Sequence, residues 1–407
     1  MSRRDVVVTG IGLITPAGAG RDRTWTGVCA GAGTAATSPE LKGLTVDFCG
    51  TAPEPGPPTA SMRRKAWRLD RFTRLALAAA HEAVADARLD PATWHGPRVG
   101  VVLGSAIGGV GTTLAQLTRL CEHGAEYVSP SLHPMSLVNM AAGETALEFG
   151  ALGPSLATVT ACASGADALA TARSWLTGGL CDIVLAGGAE AANTPLTVTG
   201  FERLGVLSRR RDDPPSASRP FDADRDGFVI AEGAAVLVLE RPEHARARGA
   251  PPRAVLAGCG STNDAHHPTA PHPDGAGARR ALTQALRDAD VTPEEVDHVN
   301  AHGTATALND AVEARVIGEC LPHGPSVTSA KGALGHALGA AGAVEGALTA
   351  LTVQHALVPP TANLRRIDPS VPLDLVRGAP RPQHIEVAIS NSFAFGGHNT
   401  VLVFRKP

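Results

Sequence analysis

Apolar residues along this chain cluster in short runs closed by glycine, and between the runs lie longer stretches at helical spacing. Val6-Val7-Val8-Thr9-Gly10-Ile11-Gly12 predicts a buried strand. Asp70 to Arg88 predicts a helix, with Phe72, Leu75, Ala79 and Ala83 on one face. Val99 to Leu103 is the next strand, running into Gly104-Ser105-Ala106-Ile107-Gly108-Gly109. Pro154 to Val159 reads as a short buried strand, and Ala163 to Trp175 as an Ala-rich helix without proline. Asp182 to Gly188 and Ala234 to Leu239 are further strands. Near Pro251 the pattern restarts with Ala254 to Gly258, and a helix is expected over Gly277–Ala289. His298 to Ala301 is a strand, Gly339 to Gln354 a buried helix, and Val401 to Phe404 a closing strand. Strand and helix alternate, which predicts α/β layers with mainly parallel strands and two similar halves, 1–250 and 251–407.

A chain of 407 residues can bury a large core, but aromatics make up only 3%, so Ala, Val, Leu and Gly must fill it. A formal net charge of −3 argues against general nucleic-acid binding. The seven cysteines are scattered and none forms a Cys-x-x-Cys pair, so neither a zinc site nor a disulfide framework is expected. The apolar runs are too short to span a bilayer, and Arg3-Arg4-Asp5 leads straight into the first strand without a leader; a cytoplasmic location is expected.

Three segments stand out chemically. In Val159-Thr160-Ala161-Cys162-Ala163-Ser164-Gly165 a cysteine sits at a strand-to-helix turn. Its sulfur would point at open space from the positive end of a helix, which favours the nucleophilic thiolate. Asn300-Ala301-His302-Gly303-Thr304-Ala305-Thr306 ends a strand with a histidine. Ser329-Ala330-Lys331-Gly332-Ala333-Leu334-Gly335-His336 places Lys331 and a second histidine before the Ala/Gly-rich helix. Two histidines among small neighbours, at element ends, fit catalysis better than core filling.

With Phe221-to-Ala234 (FDADRDGFVIAEGA) and Asn391-to-Asn399 (NSFAFGGHN), these segments make five long motifs in order. From Val6 to Phe404 the chain resembles the elongating β-ketoacyl-acyl-carrier-protein synthases. That family includes the type II fatty-acid condensing enzymes and the ketosynthase subunits of type II polyketide synthases. The resemblance implies the thiolase fold, a duplicated five-layered α-β-α-β-α architecture, normally dimeric. It implies decarboxylative condensation of a malonyl-carrier extender with an acyl chain held on Cys162, without metal or organic cofactor. His302 and His336 would hold the enolate oxygen, and the backbone N–H groups of Cys162 and Phe395 the oxyanion. Lys331 would steady the histidine network, and Glu345 would partner Lys331. Asp310 would orient the network or form an ordinary ion pair.

By the same resemblance Phe395 is the gate to the acyl pocket and Phe393 a core aromatic. Between them stands Ala394, where the family commonly has glycine; its Cβ would stiffen the gate. Ile107 matches a position that lines or closes the acyl pocket, a role compatible with simple core packing. The histidine-rich loop from Asp264 to His272 would face the gate through His267 and Thr269 rather than bind a metal. Thr304 and Thr306 are expected at the substrate. The partner would be an acidic acyl carrier protein, docking on Arg63, Arg64, Lys65, Arg68, Arg71 and Arg74 or on Arg209, Arg210 and Arg211. The second subunit would be another copy or a chain-length-factor-like chain. Against a thiolase stands the His/His pair in place of a second cysteine. Against a non-catalytic subunit stands Cys162.

Overall fold

The computed structural model describes residues 5–56 and 59–407. Arg3 and Arg4, and part of the Gly/Pro-rich 51–60 stretch, lie outside them. Eleven strands build the frame: β1 (Val6–Thr15), β2 (Val99–Gly104), β3 (Ser155–Thr158), β4 (Ile183–Glu190), β5 (Gly233–Glu240), β6 (Ala254–Asn263), β7 (His298–Asn300), β8 (Ser326–Thr328), β9 (Asp374–Leu375), β10 (Val387–Ala394) and β11 (His398–Arg405). Their order along the sheet is β9-β8-β7-β10-β11-β6-β1-β5-β4-β2-β3, with a short strand Gly18–Ala19 added beside β1.

The order contains a repeat. In the first half β3, β2 and β4 run parallel, then β5 and β1 follow antiparallel. In the second half β8, β7 and β10 run parallel, then β11 and β6 follow antiparallel. The halves join where Val6, Val7 and Val8 of β1 pair with Leu256, Val255 and Ala254 of β6.

Helices cover both half-sheets and fill the space between them. Helix α1 (Arg71–Asp86) packs on β1 and β5, and α3 (Ala276–Ala289) on β6 and β11. Asp70 caps α1 by accepting the Phe72 N–H. Between the half-sheets lie α2 (Ser164–Thr177) and α5 (Ala341–His355), which complete five layers. Helix α5 is buried at every position from Ala341 to Val353, as expected of a helix apolar all round. Two glycines set the spacing of this middle layer. A Cβ on Gly165 would lie 2.6 Å from the Ala343 nitrogen, and one on Gly342 would lie 2.7 Å from the Ala166 nitrogen. The helix that follows Cys162 therefore touches the helix that follows His336, backbone to backbone.

The strands are not mainly parallel as expected, because the pairings β10–β11, β11–β6, β6–β1, β1–β5 and β5–β4 are antiparallel, and one strand departs from its expected setting. β3 is exposed or half-buried rather than buried, with Leu156 44% exposed and Val159, just past its end, 55% exposed. It has a neighbour on one side only, because β2 pairs with it and the sheet ends there. Among the described residues no helix is long and apolar enough to cross a membrane.

Candidate active site

Cys162 stands in a short turn, Ala161–Ala163, that precedes α2. The turn is held from both ends. Ser164 Oγ accepts the Thr160 N–H at 2.9 Å and donates to the Ala161 carbonyl at 2.7 Å, while Thr160 Oγ1 donates to Asp167 at 2.5 Å. Ala161 is forced to a φ of 49°, a left-handed conformation that an alanine adopts only under constraint. The sulfur faces a cavity of about 360 Å³, and the Phe395 backbone N–H reaches it. The expected thiolate is not the resting species. Burial pushes the thiol up to about 12, while Lys331 and the Phe395 N–H act in the opposite direction without cancelling it. Desolvation therefore outweighs the helix terminus.

The same cavity is lined by His302 and His336, whose rings meet edge to face with centroids 5.5 Å apart. β7 ends just before His302, in a loop that folds back tightly. Gly303 has a φ of 40°, and a Cβ there would lie 2.6 Å from the Ser329 side chain, so the motif's glycine is a steric requirement. Glu313 on α4 (Ala307–Cys320) accepts the backbone N–H groups of His302 at 2.8 Å and Gly303 at 2.7 Å, and Asn391 at 3.1 Å. Lys331 Nζ sits behind His302, 3.3 Å from Nδ1 and 2.7 Å from the His302 carbonyl, and forms an ion pair with Glu345. An ammonium can only donate, so Nδ1 is the acceptor and the imidazole carries its proton on Nε2. Burial first, then the neighbouring Lys331 charge, holds both imidazoles well below their usual pKa, so both are neutral. His336 is fixed through its backbone, its N–H donating to the Val229 carbonyl at 2.7 Å.

Of the other expected site residues, Thr269, Thr304, Thr306, Phe393, Ala394 and Phe395 also line this cavity. Thr304 and Thr306 share a hydroxyl contact at 2.9 Å. Ala394 has φ −131° and ψ 159°, ordinary extended backbone, so its methyl is accommodated here without strain. The turn's left-handed positions are Gly396 and Gly397. That turn is clasped by the 263–268 segment: the Gly396 N–H donates to the Pro268 carbonyl at 2.7 Å and the Asp264 N–H to the Gly397 carbonyl at 2.8 Å. His267 is exposed, and its Nδ1 accepts the Thr269 and Ala270 N–H groups. His266 and His272 meet ring to ring, but no group of three or more metal-ligating side chains occurs among the described residues.

For Asp310 the structure shows the second of its two expected settings, an ordinary ion pair: it lies 3.5 Å from Arg225 and accepts the Phe221 N–H at 2.8 Å. Glu313, one helical turn on, occupies the orienting place instead. Ile107 packs against the apolar cluster that includes Phe228 and Leu338, the core packing expected as compatible with its role, and is not among the residues lining the cavity at Cys162. Of the basic residues, Lys65 is tied to Glu144 and Glu148, and Arg71 to Glu54 and Glu232. Arg74 also pairs with Glu54. Arg209 and Arg211 pair with Glu202 and Asp47, and Arg210 donates to the Asp224 carbonyl.

Three residues went unread in the sequence. Glu313 is one. Phe228, whose ring meets His336 edge-on at 5.2 Å, lies inside the FDADRDGFV motif, which was its signal. Glu190, at the end of β4, accepts Ser105 Oγ at 3.0 Å, the Ala106 N–H at 2.6 Å and the Gly339 N–H at 3.2 Å. It thereby ties the 105–108 loop to the turn after His336, and burial pushes its carboxyl up to about 7.

Comparison with known proteins agrees with this geometry. Residues 3–245 match the β-ketoacyl synthase N-terminal domain and residues 253–365 the β-ketoacyl synthase C-terminal domain. A Synechocystis sp. protein named 3-oxoacyl-(acyl-carrier-protein) synthase 2 is 42% identical, covering 100% of this chain and 99% of its own length. A Staphylococcus aureus protein of the same name is 40% identical, covering 98% of each. Among solved structures, the ishigamide ketosynthase/chain length factor superposes with a TM-score of 0.92 at 32% identity, covering 100% of both chains. The type II polyketide ketosynthase AntDE, solved with its acyl-carrier protein AntF, gives the same TM-score and identity over 99% of this chain and 100% of that one.

Proposed function

Because the chain belongs to the β-ketoacyl synthase family, we propose that it performs decarboxylative Claisen condensation on carrier-bound substrates, in fatty-acid or type II polyketide synthesis. The observation that carries the reading is the meeting of one sulfur and two neutral imidazoles, from motifs up to 174 residues apart in sequence (336 − 162), around one cavity.

Cys162 attacks the acyl thioester and expels the carrier thiol, leaving an acyl-Cys thioester. Its proton has one acceptor in the same cavity, the neutral ring of His336, because both nitrogens of His302 are already committed. The Cys162 and Phe395 N–H groups receive the oxyanion, and each such donor contributes on the order of 10²–10³ in rate. A malonyl thioester then loses carbon dioxide, and the enolate oxygen accepts N–H donation from His302 and His336. The enolate carbon attacks the acyl-Cys carbonyl, expels the Cys162 thiolate and leaves a β-ketoacyl thioester two carbons longer. Lys331, through Nδ1, keeps the His302 proton on Nε2. Glu345 neutralises Lys331, and Glu313 holds the His302 backbone. Phe395 closes the acyl route, with Thr269, Thr304, Thr306, Phe393 and Ala394 shaping it.

The substrates arrive on an acyl carrier protein, which docks on basic side chains that include Arg63, Arg64 and Arg68. The chain works as a dimer in the cytoplasm, with a second copy or a chain-length-factor-like subunit; the open apolar edge at β3 supports pairing. The two halves, 1–250 and 251–407, contribute the nucleophile and the histidines respectively. The test is intact-protein mass spectrometry after incubation with an acyl-carrier protein. An acyl adduct on Cys162, discharged by malonyl-carrier to a β-ketoacyl product and absent in Cys162→Ala, is expected. No adduct on the wild-type protein refutes the reading.

A further inference from the structure

The basic segment after Thr59 divides into two faces. Backbone from Ala60 to Arg68 is helical, as one α-turn followed by a tighter one. Met62 and Leu69 are buried against Leu77, and Lys65 leans inward onto Glu144 and Glu148. The opposite face is formed by residues 63, 64, 67 and 68, all exposed. These positions are three and four apart, so their side chains share one surface.

Two features of that outer face are unusual together. Arg63, Arg64 and Arg68 have no ion-pair partner among the described residues, whereas Lys65, Arg71 and Arg74 on the same stretch are all neutralised. In their midst stands Trp67, 74% exposed, the most exposed large apolar side chain among the described residues. The chain's other tryptophans, Trp25, Trp94 and Trp175, are partly buried against the cores. A tryptophan framed by unpaired guanidiniums is the composition of a binding hot spot, since Trp and Arg dominate such centres. Three unpaired positive charges select a negatively charged partner.

We propose that Trp67 is the apolar anchor of the carrier-protein docking surface, inserting between acidic side chains of the carrier while Arg63, Arg64 and Arg68 hold their carboxylates. The inference rests on the condensing-enzyme reading and refines it. Docking falls to the outer face alone, and Lys65, Arg71 and Arg74 belong to the fold rather than to the interface. Trp67 packs on nothing the structure describes as core, so its replacement leaves folding and the acyl cavity intact.

The experiment is steady-state kinetics with one acyl chain on two carriers: the acyl carrier protein, and a short pantetheine thiol that lacks the protein surface. Trp67→Ala is expected to raise KM for the protein-bound substrate by about tenfold or more, a hot-spot loss, with kcat unchanged. Trp67→Phe should recover most of it, and KM for the pantetheine thioester should stay at the wild-type value. An unchanged KM for the carrier-bound substrate in Trp67→Ala overturns the proposal, as do equal losses with both substrates. Wild-type turnover of the pantetheine thioester without preference for the carrier-bound form also overturns it, while leaving the condensing reaction standing. A wild-type protein inert toward both sinks the reaction and the anchor together.

Discussion

Replacing Lys331 by methionine should cost more than replacing Lys331 and Glu345 together. The ammonium and the carboxylate have side-chain exposures of 1% and 4%, so neither has water to fall back on. Removing one partner of a buried pair leaves an uncompensated polar group and costs about 3–5 kcal/mol. Lys331→Met keeps the aliphatic stem, so packing changes little and the loss is electrostatic. It strips Glu345 of its partner, and Glu345 Oε2 already lacks one. It also strips the His302 carbonyl of a 2.7 Å donor, a further ~1–3 kcal/mol for an unsatisfied buried acceptor. The double variant Lys331→Met/Glu345→Met removes the stranded carboxyl and retains only the second cost. It should therefore unfold at a higher urea concentration than Lys331→Met alone, by ~2 kcal/mol or more. The assay is equilibrium urea unfolding of wild type, both single variants and the double variant at pH 7. Strict additivity, with the double variant as unstable as the two losses summed, refutes the reasoning, because it means that neither group depends on the other. The same Lys331→Met frees His302 Nδ1 to take the proton, and malonyl decarboxylation should fall while Cys162 acylation persists.

Further expectations follow from the same geometry. With the Cys162 thiol pushed up to about 12, its alkylation by a small neutral reagent should still be climbing at pH 10; a plateau below pH 9 refutes the assigned desolvation. The Glu190 carboxyl, raised from 4.5 to about 7, keeps its proton in the folded state after the unfolded chain has lost one. Its contribution therefore falls as pH rises from about 4.5 to 7, by ~3 kcal/mol in total. Glu190→Gln, whose amide can donate to Ser105 Oγ and accept the Ala106 and Gly339 N–H groups, should flatten that slope; an unchanged pH dependence of the urea midpoint counts against it. Gly165→Ala places a methyl 2.6 Å from the Ala343 nitrogen and should destabilise by ~1–3 kcal/mol, so an unaltered unfolding midpoint contradicts the backbone contact between α2 and α5.

Much of the frame was legible along the chain. β2, β4 and β5 are buried along their whole length, so up to the closing Glu190 and Glu240 they read as apolar runs. β3 misled because its short run of small and apolar residues looks the same whether or not a second strand pairs with it. The motifs marked Cys162, His302, Lys331 and His336 because each sits where a strand or helix ends among small residues. They marked Asp310 and passed over Glu313, although both carboxylates lie on α4 one turn apart. Only the packing of that helix decides that Asp310 turns to Phe221 and Glu313 to His302. Likewise Arg63 and Lys65 are equivalent as letters, and the direction of one short helix separates an unpaired charge from a neutralised one.

By itself, then, the amino-acid order determined which chemistry the molecule carries and where regular structure starts and stops, because propensity and periodicity act between near neighbours. Tertiary structure alone decided the protonation of the sulfur, the tautomer of His302 and the identity of the supporting carboxylate. Those properties depend on desolvation and on distances between groups such as Cys162 and Phe395, or Lys331 and His302, which approach only after the halves have closed on each other.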